Sequence, residues 1–575
     1  MERLTEYFTD GYWHWSNFVV IILYLFLTTL IGKIFSKRQH TIRDFFLGGK
    51  KLPWGAVCGS IIATEISAVT FIIVPMMIFT EGGNFTYLML AFGTILARFI
   101  IGYWFLPVYF EKEVYSPYQY MGNKLGVRVD KMTSILFMIG SILGQGVRVF
   151  VIAIVLQVVL KIPLTYAIII IGIFAIIWTW MGGITTVIWT DVVQFIVFIG
   201  GAISVFVFIA LKVPGNMGEI IELGMQADKF KFWNFSFSTA EAFTLWCGLF
   251  GTSFLTLSSH GIDQMNTQRL FCCKNVSDAR KAIIWSSLGV LVTFIMLFVG
   301  VGLVAYYKHF PLSHIWQSVI AEDARQIFPV FIVTELPPVF SGLLISAVLA
   351  AAISSLDSAL AALSQTTVTG FYKPYFAPLR DEKHYLFVSR MFVVFWGIAL
   401  SLMAFVCEPL SKNYKDIVQL ALAMTGYTYG ALLGTFFLGF FNTKRDDYGL
   451  LWGIPFSMLF IFSLSWHNVY SRIVVYLFMI ILLSTWIFSS IKNKEKNIIL
   501  KTIFLLGISA IILISHAGYF YILPNSKNIV FDLALPWTYT FDVFKPVFFS
   551  LAWPWNFPIG VLTTFVIGLV IGRKK

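Results

Sequence analysis

Hydroxyls and one carboxylate converge in the stretch SGLLISAVLAAAISSLDSALAALSQ, residues 341–365. Ser354, Asp357 and Ser358 stand at i, i+3 and i+4 with Ser355 beside them, so a helix here stacks their oxygens on one face. Such oxygen ligands suit a hard cation. The serines can equally bond back to their own helix carbonyls. Asp357 weighs for the cation, because a carboxylate without a partner at this depth is costly. A second stretch, GSIIATEISAVTFIIVP (residues 59–75), sets Thr64, Glu65, Ser67 and Thr70 into an apolar run ahead of Pro75. Local unwinding would free the carbonyls of Ala63 and Ile66, which an apolar medium tolerates only where an ion or a polar cavity meets them. The alternative is an intact helix with its polar residues turned inward. Asp191, in WTWMGGITTVIWTDVVQ, either completes a cation site or caps a helix, and Gly182–Gly183 make a tight turn before it. Arg148, in GQGVRVFV, either grips an anionic ligand group bidentately or serves as counter-ion to Glu65 or Asp263. Arg98 reads as half of a structural ion pair.

These groups sit in a chain of 575 residues that is 58% hydrophobic, 17% aromatic and only 12% charged, with a mean hydropathy of +0.81. Soluble chains carry about 25% charged residues. Part of the solvent is therefore lipid, and the expected class is an all-α polytopic membrane protein. A spanning helix needs about 20 mostly apolar residues. Fifteen runs qualify, centred on 17–36, 53–80, 84–110, 132–160, 163–181, 185–212, 239–261, 282–307, 339–368, 386–407, 415–441, 448–466, 473–491, 499–523 and 551–572. The basic connection GKIFSKRQHTIRDFFLGGKK places that side in the cytoplasm and the N-terminus outside. With alternating crossings, 27 of the 41 Lys and Arg fall on inner connections, 12 fall on outer ones, and Arg98 and Arg148 lie within spans. The C-terminus then falls inside. The net charge of +12 is this inner bias and calls for no nucleic-acid partner.

MERLTEYFTDGYWHW lacks the basic start of a cleaved signal, so the first span is expected to stay. Cys58, Cys247, Cys272, Cys273 and Cys407 have no metal or disulfide spacing and read as small apolar side chains. No HExxH or clustered metal-ligand pattern points to an enzyme. Buried charges in single copy favour a carrier over a ring-symmetric pore.

Segments two to six and seven to eleven form two sets of five spans, and an odd number per half sets the halves in opposite orientation. Each half opens on a polar-interrupted span, ATEISAVT and TLSSHGIDQ, the pattern that marks a midplane transport site. The expected divisions are 1–51 (outer N-terminus, leading helix and cytoplasmic loop), 52–212 and 238–441 (the two repeats) and 446–575 (trailing helices).

From about residue 15 to about residue 445 the chain resembles the sodium:solute symporter family. The motifs are FSKRQHTIRDFFLGGKKLP, ATEISAVTF, YSPYQYMGNKLGVR, WTWMGGITTVIWTDVVQ, DQMNTQRLFCCKN, FIVTELP and AAAISSLDS. Several look closest to the family's bacterial sialic-acid carriers. The resemblance implies a LeuT-like 5+5 inverted repeat with one leading and several trailing helices. It implies sodium as the coupling ion, one or two per cycle, and a small-molecule substrate carried by alternating access across the bilayer of the plasma membrane. The family's sodium site matches Ala63, Ile66, Ala351, Ser354 and Ser355. The second ion site that some members use matches Asp191, Ser354, Asp357 and Ser358, with Asp357 standing where the sialic-acid carriers have a hydroxyl. The extra carboxylate either tightens the ion site or admits a proton. The solute pocket matches Glu65, Ser67, Thr70, Arg148, Asp263, Gln264 and Tyr427. The glutamine of the sialic-acid carriers is missing from YLMLAFG, and Gly289 stands where bacterial galactose carriers have a lysine. A small organic anion such as a sialic acid or monocarboxylate is the first expectation. A sugar or polyol bonded by Glu65 and Asp263 is the second, and a ligand sensor on the same scaffold is the alternative from another class.

Overall fold

The computed structural model describes residues 15–35, 40–66, 68–111, 114–160, 162–322, 324–411, 417–441, 446–465, 469–493, 495, 497–517, 519–522, 529–532, 546–547 and 552–573. Helices dominate them. Those that the description needs are, in chain order, α1 (Trp15–Phe35), the short α2 (Ile42–Leu47), α3 (Trp54–Glu65) and α4 (Ala68–Phe79). Then come α5 (Phe85–Phe110), α6 (Pro117–Leu125), α7 (Val127–Leu160), α8 (Leu164–Lys212) and α9 (Asn216–Gln226). The chain continues through α10 (Ser253–Gly261), α11 (Gln264–Phe271), α12 (Val276–His309), α13 (Phe340–Thr367), α14 (Glu382–Ser411) and α15 (Ile417–Phe440). Last are α16 (Tyr448–Ser465), α17 (Val469–Lys492), α18 (Ile498–Ala517) and α19 (Asn556–Ile571). Three short antiparallel strands (Tyr519–Ile522, Ile529–Asp532 and Pro546–Val547) lie between α18 and α19.

Among the described residues, nine helices are long and apolar enough to cross a membrane, or ten with α3 and α4 taken as one bent span. The 49-residue α8 is longer than one crossing needs. Its non-helical Gly183, at φ 54° and ψ −150°, divides it at the turn expected from Gly182–Gly183. Lipid-facing rows are plain on α8, where Ile169, Ile173 and Ile177 are exposed at successive i+4 positions. All five cysteines are buried and free.

Gly183 is needed for its backbone. A Cβ there would lie 2.3 Å from the carbonyl oxygen of Phe45 on α2, in a left-handed conformation that L side chains resist. Gly183→Ala is expected to cost roughly 2–4 kcal/mol, the sum of a left-handed penalty and overpacking. Gly200→Ala, on the same helix with nothing within 4 Å of the new Cβ, is the control. Comparing the unfolding midpoints of the two purified variants checks this.

The α2 segment clasps several elements on one side of the bundle. A Thr41/Asp44 capping box starts it and left-handed Gly48 ends it. The Ile42 N–H donates to Glu382 at the start of α14 (2.9 Å), Gln268 Nε2 of α11 donates to the Phe46 carbonyl (2.8 Å), and the Leu52 N–H donates to the Cys272 carbonyl (3.2 Å). The start of α3 is thereby tied to the end of α11. At the other end of the chain, Gly430 of α15 and Gly560 of α19 meet backbone to backbone and dock the last helix on the core.

Candidate functional site

Two broken helices frame the centre. The first break is the α3–α4 bend of 53°. Ile66 there is extended (φ −74°, ψ 103°), and its N–H makes the last bond of α3, to the Ile62 carbonyl. Carbonyls from Ala63 onward therefore fall past the α3 ladder. The second break separates α10 from α11. Asp263 is extended (φ −71°, ψ 130°) and caps α11 by accepting from the Met265 N–H at 2.8 Å.

Helix α13 packs beside α3 and carries the serine face. Ser354, Ser355, Asp357 and Ser358 are all essentially inaccessible. The Ser354 hydroxyl donates to Asp191 Oδ1 at 2.5 Å, and the Ser358 hydroxyl bonds back to the Ser354 carbonyl at 2.5 Å. The Ser355 hydroxyl is buried with no partner among the described residues. Unmet oxygen on α13, beside a helix whose ladder has just ended, is what a dehydrated alkali cation needs. Ala351 lies in the helical backbone of α13.

The residues expected at a second ion site, Asp191, Ser354, Asp357 and Ser358, lie close to one another around an arginine that hydropathy places in an inner connection. Arg269 of α11 is fully buried and pairs with Asp191 at 3.1 Å. Its Nε donates to Ser60 of α3 at 2.8 Å, its Nη1 to the Met265 carbonyl at 2.5 Å, and its Nη2 also to Ser358. Ser60 in turn donates to Asp191 at 2.5 Å. One guanidinium thus joins α3, α8, α11 and α13. Asp357 is left poorly served: Oδ1 lies 3.3 Å from the Ser358 hydroxyl, and Oδ2 is buried without a partner among the described residues. Two buried carboxylates thus lie near one guanidinium, which pairs with Asp191 and leaves Asp357 without a cation of its own among the described residues.

A second polar group surrounds the α3–α4 break. Glu65 is paired with Arg98 of α5, as the structural reading of Arg98 expects, and Arg148 is not its partner. The Glu65 side chain is 32% exposed while that of Arg98 is fully buried, so the acid is the accessible half of the pair. A Cβ on Gly289 would lie 3.5 Å from Glu65 Oε2. A lysine at that position would meet this carboxylate. Arg148 is near enough to Glu65, His260 and Asp263 for its charge to act on all three. Arg148 Nη1, Gln145 Oε1, His260 Nε2 and Asn266 Oδ1 are buried with no protein partner among the described residues. Such a concentration of unmet donors and acceptors marks a place where a polar ligand or water must supply the bonds.

Other expected pocket residues are engaged elsewhere. Asp263 is spent on its cap and on the Tyr429 hydroxyl, which donates to Oδ2 at 3.0 Å. Gln264 donates through Nε2 to the Tyr115 carbonyl at 3.1 Å, away from Glu65. Tyr427 packs its ring on Phe462, with centroids 5.9 Å apart. Two residues on a helix differ by about 200°, so Tyr429 takes the inward face and Tyr427 the face toward α16. Thr70 is half-buried on α4, and Ser67 lies outside the described residues. Arg269 was missed because DQMNTQR reads as a polar connection. The signal available was the apolar LFCC that follows it, which a buried half-helix produces: every residue of α11 is buried.

The sodium:solute symporter family model matches residues 45–456. The chain belongs to the sodium:solute symporter family. Family membership makes it a multi-pass, sodium-coupled membrane transporter and not an enzyme. Among relatives in the family, the sodium/sialic acid symporter SiaT of Proteus mirabilis is 29% identical over 77% of this chain and 88% of its own length. The sodium-coupled monocarboxylate transporter 2 of Homo sapiens is 27% identical over 77% of this chain and 71% of its own. A solved substrate-bound, outward-open structure of a Na+-coupled sialic acid symporter superposes with a TM-score of 0.68 at 28% identity, covering 78% of this chain and 91% of that one. The expected LeuT-like architecture is the one the fold shows.

Proposed function

We propose that the chain imports a small organic anion with sodium. Arg148 carries the reading. Its Nη1 is a buried donor without an acceptor among the described residues, while the neighbouring carboxylate, Glu65, already has Arg98 as its cation. A ligand carboxylate would complete Arg148. Sialic-acid and monocarboxylate transporters among the relatives both handle anions, which supports the same class. The sugar or polyol reading rests on Glu65, whose carboxylate is 32% exposed and can accept hydroxyls.

Sodium binds Ala63, Ile66, Ala351, Ser354 and Ser355 in this reading, between the end of α3 and the serine face of α13. A second cation sits against Asp357, with Asp191, Ser354 and Ser358 around it and Arg269 supplying the other positive charge. Sodium fixes the break beside Glu65 and Thr70, two of the residues expected to bind the solute. Each ligand then tightens the other by a coupling energy of about 1–3 kcal/mol. A membrane potential adds about 2.3 kcal/mol per charge per 100 mV to inward movement. Residues 52–212 and 238–441 act as inverted repeats that rock to alternate access, with the N-terminus outside, the C-terminus cytoplasmic and the plasma membrane as location.

The experiment is a thermal-shift screen of purified protein against N-acetylneuraminate, lactate, pyruvate, glucose and inositol, with sodium or potassium. A carboxylate-bearing solute is expected to raise the unfolding midpoint in sodium only. Arg148→Gln is expected to weaken that solute at least tenfold, the scale of one charge-assisted hydrogen bond, and to keep the shift due to sodium alone. Stabilisation by an uncharged sugar, unchanged in Arg148→Gln, would overturn the anion reading.

A further inference from the structure

A basic cavity of about 680 Å³ opens on the side that carries the connection between α1 and α3, lined by Arg43, Gly49, Lys50, Lys51, Phe110 and Lys274. Four of its six lining residues are cationic and none is acidic. The nearest carboxylate on the same segment, Asp44, has its Oδ2 turned to the backbone N–H groups of His40 and Thr41 in the α2 cap. Lys50 lies over the Phe110 ring, 6.0 Å from its centroid, which directs its ammonium to the cavity wall. Gly48, Gly49 and Lys50 are consecutive left-handed residues, with φ of 53°, 65° and 56°.

We infer that this cavity binds a phosphate group, either as an anionic lipid headgroup or as a free phosphate. Clustered Lys and Arg at the inner face of a transporter match phosphate chemistry. The solute site takes no part in this, since the cavity lies apart from Glu65 and Arg148. Binding there acts on transport through position. Arg43 to Lys51 lead into α3, and Lys274 follows α11, so the cations belong to the inner ends of the two broken helices. These ends are already joined by the Leu52 N–H to Cys272 carbonyl bond. A phosphate shared by Lys51 and Lys274 adds a second tie at the same place, holds the two inner ends together and slows inward opening.

Two arms test this with the full chain. In detergent, potassium pyrophosphate is expected to raise the unfolding midpoint by about 1 °C at ten times its dissociation constant and by about 3 °C at a thousand times. Potassium chloride of equal ionic strength should give no such rise, and Lys51→Gln/Lys274→Gln should lose it while retaining the response to sodium. In nanodiscs, phosphatidylglycerol added to phosphatidylcholine is expected to give the same pattern if the source is lipid. A response in either arm supports the site and names its source. If the double variant folds poorly, acylation of wild-type Lys51 and Lys274 reports instead, and pyrophosphate or phosphatidylglycerol should slow it several-fold. Equal shifts with chloride, equal shifts in the double variant, or unprotected lysines would overturn the proposal.

Discussion

Arg269→Gln is expected to be the most damaging single substitution in the core. It leaves Asp191 and Asp357 buried together without the guanidinium that faces Asp191 at 3.1 Å. Breaking a buried pair by removing one partner costs about 3–5 kcal/mol. The loss should appear as a fall in the unfolding midpoint of the purified protein in potassium. Adding Asp191→Asn to the variant should recover much of the stability, because it removes the stranded charge. No recovery in the double variant would mean that Arg269 acts through packing of its stem, and that the ion pair contributes little. Transport is expected to stay low in both, since Arg269 bonds simultaneously to Ser60, Asp191 and Ser358 and so fixes α11 against α3, α8 and α13.

The second large effect belongs to the serine face. Ser354→Ala removes a hydroxyl that donates to Asp191 at 2.5 Å, and Ser355→Ala removes one with no protein partner among the described residues. Their stability costs should differ. Ser354→Ala leaves a buried carboxylate oxygen short of a donor, at about 1–3 kcal/mol. Ser355→Ala should be near neutral in potassium, because no protein bond is lost. Both should weaken sodium at least tenfold, the effect of removing one oxygen ligand worth about 1.4 kcal/mol or more. Sodium-driven uptake into proteoliposomes at low sodium would read this directly. Uptake by Ser355→Ala with unchanged sodium dependence would remove that hydroxyl from the ion site.

Much of the architecture was legible because the physics behind it is local. Apolar runs of spanning length, polar interruption at ATEISAVT and TLSSHGIDQ, and the paired glycines before Asp191 each depend on neighbours in sequence. The breaks at Ile66 and Asp263 and the left-handed Gly183 appear where those signals stood. Pairing across the bundle was not legible. Glu65 had two arginines within reach, and which one met it depended on how α5 and α7 pack. Helical phase decided between Tyr427 and Tyr429, since adjacent same-type residues at i and i+2 face opposite ways and hydropathy does not separate them. Arg269 was hidden for a different reason: a polar half-helix buried by its neighbours has the composition of a loop. The same burial turned the Gln264 amide toward the Tyr115 carbonyl.

Binding of radioactive sodium to purified wild-type protein and to Ser354→Ala/Ser355→Ala tests the ion site most directly. Saturable binding displaced by unlabelled sodium but not by potassium, and lost in the double variant, is the expected result. A double variant that binds sodium as tightly as the wild type would contradict the assignment and send the search for the coupling ion to another part of the bundle.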